Sequence, residues 1–278
     1  MGQGEGARAH EYELGHSERE LKRLRLQARL VDPFTRLFFS AAGLAQGMRV
    51  LDVGSGGGDT ALLAAELVGD EGEVVGVDQS LAAVSAARKR IAAAGRRNIS
   101  FRHGELDKLE FAGAFDAAVG RYVLMFNPEP AAMLRTIARL VRPGGSIVFH
   151  EPDWNGIRSN PPVPIYDECH KWIVRTFERL GTNPYMGHDL HAAFVRARLP
   201  PPAMALHALI QGPADEVGYA EMIAELAITL APSMEQVGVI ASGQIDPASF
   251  GRRMREDVER LGSVVVGRSE IGAWSRAP

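Results

Sequence analysis

An apolar, branched run at residues 49–53 leads into Gly54, Gly56, Gly57 and Gly58, and a helical stretch, Asp-Thr-Ala-Leu-Leu-Ala-Ala-Glu-Leu-Val, follows at residues 59–68. The run reads as a buried strand and the stretch after it as the next helix. Glycines suit the turn between them, because the backbone there adopts unusual dihedrals and lets a ligand approach with no Cβ in the way. A second apolar run at 73–77 ends in Asp78. Strand, glycine turn, helix and strand in this order form the opening of a parallel sheet, with acids near the carboxyl ends of two neighbouring strands.

An acid at the end of the second strand is placed to bind both hydroxyls of a ribose. Two nucleoside ligands fit such a unit: a dinucleotide or S-adenosylmethionine (AdoMet). The dinucleotide fingerprint needs a third glycine at position 59, but Asp59 stands there, facing the place a pyrophosphate would take at the helix N-terminus. Asp52 is equally awkward for phosphate, yet suits a ligand carrying an ammonium and a sulfonium. The pattern Asp-x-Gly-x-Gly-x-Gly is filled by Asp52, Gly54, Gly56 and Gly58 and resembles the class I AdoMet-dependent methyltransferases, in particular their small-molecule branch.

Composition narrows the alternatives. The 278 residues suffice for one large α/β domain with insertions, and a hydrophobic content of 46% supports a full core. A formal net charge of −3 gives no basic footprint for nucleic acid. The single cysteine, Cys169, has no internal disulfide partner. No apolar run approaches the roughly 20 residues needed to cross a bilayer, and residues 1–20 lack signal or transit character, so a cytoplasmic protein with no membrane partner is expected.

Ser17 to Glu20 forms a capping box that opens a charged helix to about residue 30, with Leu21, Leu24 and Ala28 as its apolar stripe and Arg19, Lys22, Arg23, Arg25 and Arg29 on a solvated face. Asp32-Pro33 is expected to cap a second helix that ends by Gly43. Residues 1–43 therefore read as an N-terminal helical cap on a domain at 44–278. Helices are expected at 80–94, 130–140, 165–180 and 189–198, and strands at 100–103, 115–119, 146–150, 204–210 and 271–275, the last with an extension back towards 264 left open. Between the last two strands, residues 212–262 hold helices near 216–230 and 250–261. A hairpin needs only a few residues there, so this insertion is a candidate lid, alongside a helical insertion at about 152–200.

The resemblance implies a Rossmann-like α/β fold, with a seven-stranded, mostly parallel sheet carrying helices on both faces and a helical lid. It also assigns roles. Ser55 and Gln79 join Asp52, Asp78 and the glycines at the donor; Glu105 accepts from the adenine amino group and Leu106 lies beside the ring; Arg121 sits near the methionine carboxylate end or the substrate. Tyr122 lines the reacting centre, and the Arg142-Pro143-Gly144-Gly145 turn ends a helix and launches the fifth strand.

Methyl transfer from a sulfonium is an in-line displacement, so the protein mainly aligns the reactants and excludes water. A base helps where the nucleophile is a phenol, enol or acidic carbon. His150 and Glu151, at the carboxyl end of the fifth strand, are the candidates, with Tyr122 beside them; the alternative is a satisfied buried histidine and a glutamate that fixes a helix N-terminus. Trp154 and Tyr166 are the aromatic residues favoured as substrate contacts. His170, His188 and His191 do not assemble a metal-binding spacing, and no metal is expected.

These readings point to methylation of a small molecule, at oxygen or carbon before nitrogen, of the kind found in bacterial secondary metabolism or quinone modification. Three alternatives stand beside it: an AdoMet-fold enzyme recruited to a non-methylating cyclisation, a non-catalytic AdoMet-binding partner, and an RNA methyltransferase, which the net charge disfavours.

Overall fold

The computed structural model describes residues 18–213 and 218–278. A long helix, α1 (Glu18–Ala41), precedes an alternating core of β1 (Arg49–Val53), α2 (Asp59–Val68), β2 (Glu73–Asp78), α3 (Leu81–Ala93), β3 (Ile99–His103), β4 (Phe115–Arg121), α4 (Pro130–Leu140) and β5 (Val141–Asp153). Beyond it lie β6 (Arg158–Asn160), α5 (Pro164–Arg179), α6 (Met186–Arg196), β7 (Ala203–Gln211), α7 (Tyr219–Gln236), α8 (Phe250–Arg260) and β8 (Val264–Arg276). The sheet runs β3-β2-β1-β4-β5-β8, parallel up to β5, with β8 antiparallel to β5 and β7 antiparallel to β8. This is the doubly wound arrangement that the glycine turn implies, and ligands in such sheets bind outside the carboxyl ends of the strands.

The pleat divides the core into two layers. Val50, Val74, Ala117, Val119 and Val148 face α2, α3 and the C-terminal half of α1, whereas Leu51, Val75, Ala118, Ile147 and Phe149 face the layer holding α4 to α8. Glycine permits the closest approach between α1 and the sheet: a Cβ at Gly272 would stand 2.2 Å from Cγ of Phe38.

Four features depart from the sequence expectations. The sheet has eight strands rather than seven, because the chain turns through Trp154–Gly156 after β5 and β6 then pairs with the start of β8. The break at Asp32-Pro33 does not occur, and α1 runs on with Pro33 inside it. An interior proline costs about 3 kcal/mol, but here the helix buries Leu30, Val31, Phe38 and Phe39 on one continuous face, and Asp32 is engaged by Arg121 instead of capping. Arg23, expected on a solvated face, is buried at 2% exposure. The Arg142 to Gly145 turn lies within β5, where the pairing with β4 skips from Val141 to Ser146.

The capping box at Ser17 lies outside the described residues, as does the expected start of a helix at Glu216; α7 begins at Tyr219 and continues through Pro232. Its buried Leu230, Ala231 and Met234 carry the apolar face past that proline. Among the described residues no helix is long and apolar enough to cross a membrane.

Candidate active site

The carboxyl ends of β1, β2, β4 and β5 converge on two adjoining features, a glycine cradle and an aromatic cleft. In the cradle, Gly54 follows β1 with φ 63°, and a Cβ there would stand 2.6 Å from Cγ2 of Val123. Any other residue would be strained in backbone and contact alike. Gly58, also left-handed, precedes α2 as its N-cap. Asp78 shapes the turn: its Oδ2 accepts from the Gly56 amide at 2.8 Å and its Oδ1 from the Ser80 amide at 2.8 Å. Asp59 is paired with Arg90 at 2.6 Å.

These residues fit the AdoMet that the sequence resemblance implies. Asp52 is fully buried and, among the described residues, neither carboxylate oxygen has a hydrogen bond of ordinary geometry, the Ala61 amide exerting only a minor pull; the Ser55 hydroxyl is likewise unpaired. Burial pushes the Asp52 carboxyl well above its usual range, with Arg121 the main opposing influence. A cationic ligand group would reverse that penalty. A Cβ on Gly56 would meet nothing within 4 Å, so the space above the turn is open. Gln79 is exposed at the end of β2, its carbonyl joined to His103 Nε2 at 3.0 Å. Glu105, exposed, pairs with Lys108 at 2.7 Å, and Leu106 is half-buried beside it.

The second feature is a directed chain of buried polar groups. Arg121 Nη1 donates to Asp32 at 2.6 Å and to Thr35 Oγ1 at 3.1 Å. Thr35 meets His150 Nδ1 at 3.0 Å, and His150 Nε2 meets Glu270 Oε2 at 2.9 Å. Tyr122 donates its hydroxyl proton to the same Glu270 oxygen at 2.6 Å, while Arg268 donates from Nε to Glu270 Oε1 at 2.9 Å and from Nη2 to the Tyr122 hydroxyl at 2.8 Å. Burial would raise the Glu270 carboxyl, but Arg268 and the bonds from His150 and Tyr122 hold it down at about 2. Burial lowers His150, outweighing the bond to Glu270, so the imidazole is neutral, its Nε2 carrying the proton towards the carboxylate. Tyr122 takes φ 57°, a costly conformation for a residue with a side chain. Strain of this kind persists where surrounding contacts over-determine it, and here the hydroxyl is fixed on both sides.

Of the expected catalytic residues, His150 has both ring nitrogens engaged and no exposed surface. Glu151, equally buried, accepts from the amides of Val123 at 2.9 Å, Leu124 at 2.8 Å and Met125 at 3.3 Å, and so holds the short turn after Tyr122. Tyr122 and Trp154 line a cleft together with Phe177, Leu226 of α7, and Arg23 and Gln27 of α1. Tyr166 does not reach it; it is buried, and its hydroxyl donates to the Val266 carbonyl at 3.0 Å. Arg268, Glu270 and Thr35 were not anticipated from the sequence. A charged pair two residues apart within an otherwise apolar strand is the signal that would have found Arg268 and Glu270.

Glu151 supports a pH prediction. Burial raises its carboxyl from 4.5 to about 7 despite the three amides. The folded state thus binds the proton more tightly than the unfolded chain, so stability falls as pH rises from about 4.5 through 7, by on the order of 3 kcal/mol. In Glu151→Gln, urea unfolding across this window should lack that fall, with the variant gaining on the parent as pH rises. A parallel pair of stability curves would show that Glu151 is ionised throughout.

The methyltransferase-domain family model matches residues 44–191. Curated relatives include an arsenite methyltransferase of Aquipseudomonas alcaligenes, 38% identical over 40% of this chain and 34% of its own length. Another is a demethylmenaquinone methyltransferase of Shouchella clausii, 34% identical over 45% of this chain and 51% of its own length. The chain thus spans about a third of the first of these relatives and about half of the second. Among solved structures, the geranyl diphosphate C-methyltransferase of Streptomyces coelicolor A3(2) superposes with a TM-score of 0.55 at 18% identity, covering 96% of this chain and 88% of that one, which shows a shared fold. The matched residues 44–191 are more than half of the sequence and contain the glycine cradle, Asp78, Tyr122 and Glu151, and on this ground the chain belongs to the methyltransferase-domain family.

Proposed function

We propose that the protein transfers a methyl group from AdoMet to oxygen or carbon of a small, planar or apolar acceptor held in the cleft beside Tyr122 and Trp154. The observation that carries this reading is Asp52, a buried carboxylate with no hydrogen bond of ordinary geometry among the described residues, beside an open glycine turn that Asp78, the acid we assign to the ribose, holds through the Gly56 amide. Val123 packs on Gly54 and directly follows Tyr122, so the cradle and the cleft adjoin.

When bound, AdoMet supplies an activated methyl on a sulfonium. The chain's own work is alignment and exclusion of water. Glu151 and Tyr122 fix the turn between donor and acceptor; His150, with both nitrogens occupied, orients Glu270 and so positions Tyr122. We assign these three residues to positioning, not to proton removal, which favours an acceptor that enters already ionised or with an acidic proton. Arg23, Gln27 and Leu226 bring α1 and α7 over the cleft, and these helices act as its cover. The working location we propose is the cytoplasm.

Calorimetry should show binding of AdoMet and S-adenosylhomocysteine and none of NAD; tighter binding of NAD would remove the donor assignment. Incubation with methyl-labelled AdoMet and a panel of phenols, enols and amines should place label on phenol or enol products. Label confined to amines would overturn the oxygen or carbon preference. Turnover of a candidate acceptor that needs AdoMet but leaves all label on the donor would favour the non-methylating reading.

A further inference from the structure

The cleft is lined by two arginines, Arg23 and Arg268, and by no carboxylate among the described residues. Arg268 is only 3% exposed, and its guanidinium is clamped between two rings, 4.9 Å from the Tyr122 centroid and 5.0 Å from that of Trp154. Its Nε and Nη2 are used by Glu270 and Tyr122, whereas Nη1 has no acceptor among the described residues. Trp154, on the same cleft, keeps a buried indole N–H that also lacks an acceptor. A buried donor left without an acceptor, as the Trp154 indole N–H is, is costly, and the unengaged Arg268 Nη1 on the same cleft adds a charged donor; together they mark the place of an oxygen supplied from outside the protein.

We propose that the acceptor carries an anionic oxygen, as carboxylate, phenolate or enolate, on a flat apolar body, and that this oxygen docks on Arg268 Nη1 with help from the Trp154 indole N–H. The inference rests on the methyl-transfer reading of the same cleft. Glu270 makes the site selective: its charge is absorbed by Arg268, His150 and Tyr122, so it fixes the guanidinium without competing for the outward nitrogen. Phe177, Met125 and Leu226 supply the apolar walls against which a planar ring system packs. A neutral acceptor of the same shape would offer Arg268 Nη1 only an uncharged oxygen, a weaker partner for a guanidinium, which turns the site against it.

The test uses the whole protein saturated with S-adenosylhomocysteine and two probes, 2-naphthoate and its methyl ester, near pH 7.5. Naphthoate should bind at least about tenfold more tightly than the ester, the margin of one charge-assisted hydrogen bond. Arg268→Gln should bring naphthoate down to the affinity of the ester, and Trp154→Phe should weaken naphthoate several-fold with the ester unchanged. Equal affinity for the two probes, or no binding of naphthoate, overturns the proposal whatever the variants do. Should Arg268→Gln fail to fold, Arg268→Lys, which keeps the charge but loses the planar fork, should show a reduced preference; an undiminished preference overturns the assignment to Arg268. Naphthoate selectivity in a protein that does not bind S-adenosylhomocysteine would instead defeat the methyl-transfer reading and leave the anion site standing.

Discussion

Replacing Asp78 by alanine is expected to weaken AdoMet binding about a hundredfold or more while the protein stays folded. Each carboxylate oxygen already accepts one backbone amide, Gly56 on Oδ2 and Ser80 on Oδ1, and each retains a further lone pair for a ribose hydroxyl. Hydrogen bonds to a charged group contribute roughly 1.5–3 kcal/mol each, so two of them account for the hundredfold loss. The loss of the two amide bonds adds to it, since the glycine turn is then no longer held in the shape that receives the nucleoside. Asp78→Asn should fall between, because one oxygen survives. Calorimetry with S-adenosylhomocysteine measures the effect and circular dichroism checks the fold. A folded Asp78→Ala protein of unchanged affinity would show that the ribose lies elsewhere.

The cradle was legible in the sequence because everything it needs is local. The run from Arg49 to Val68 contains strand, turn and helix in order, and the period of its apolar residues changes from strand to helix at the glycines. Asp78 is read by the same rule from the next strand. The cleft was only half legible, because its polar groups meet across the chain: His150 finds Glu270 on the last strand, and Arg121 finds Asp32 on the first helix. That long-range bond also explains why Asp32-Pro33 reads locally as a helix start and stands inside a continuous helix. Tyr166 shows the opposite failure: its aromatic ring and hydroxyl suit a substrate pocket, and only burial and the carbonyl of Val266 reveal it as core. For Glu151 the sequence left two roles open, and three backbone amides within reach favour the ordering of the turn.

Glu270→Ala is expected to destabilise the fold by about 3–5 kcal/mol, because it removes one partner of a buried ion pair and leaves the other charged. The carboxylate accepts from His150, Tyr122 and Arg268. Without it Arg268, itself nearly inaccessible, keeps its charge with no counter-ion. Urea unfolding near neutral pH measures the loss, and its pH dependence identifies the cause. The folded carboxyl lies at about 2 against an ordinary 4.5, so its contribution is present above about 4.5 and disappears as pH falls through 2. The gap between parent and Glu270→Ala should therefore narrow as the solution is acidified across that range. A double variant, Arg268→Met with Glu270→Met, separates charge from packing. It removes both ions and fills the space with apolar atoms, and should be more stable than Glu270→Ala, although Tyr122 and His150 still lose an acceptor. If the double variant is no better than Glu270→Ala and the gap is the same at every pH, the residue acts through packing alone. The guanidinium would then need no counter-charge in the cleft, and the directed chain from Arg121 to Arg268 would be geometry without electrostatic consequence.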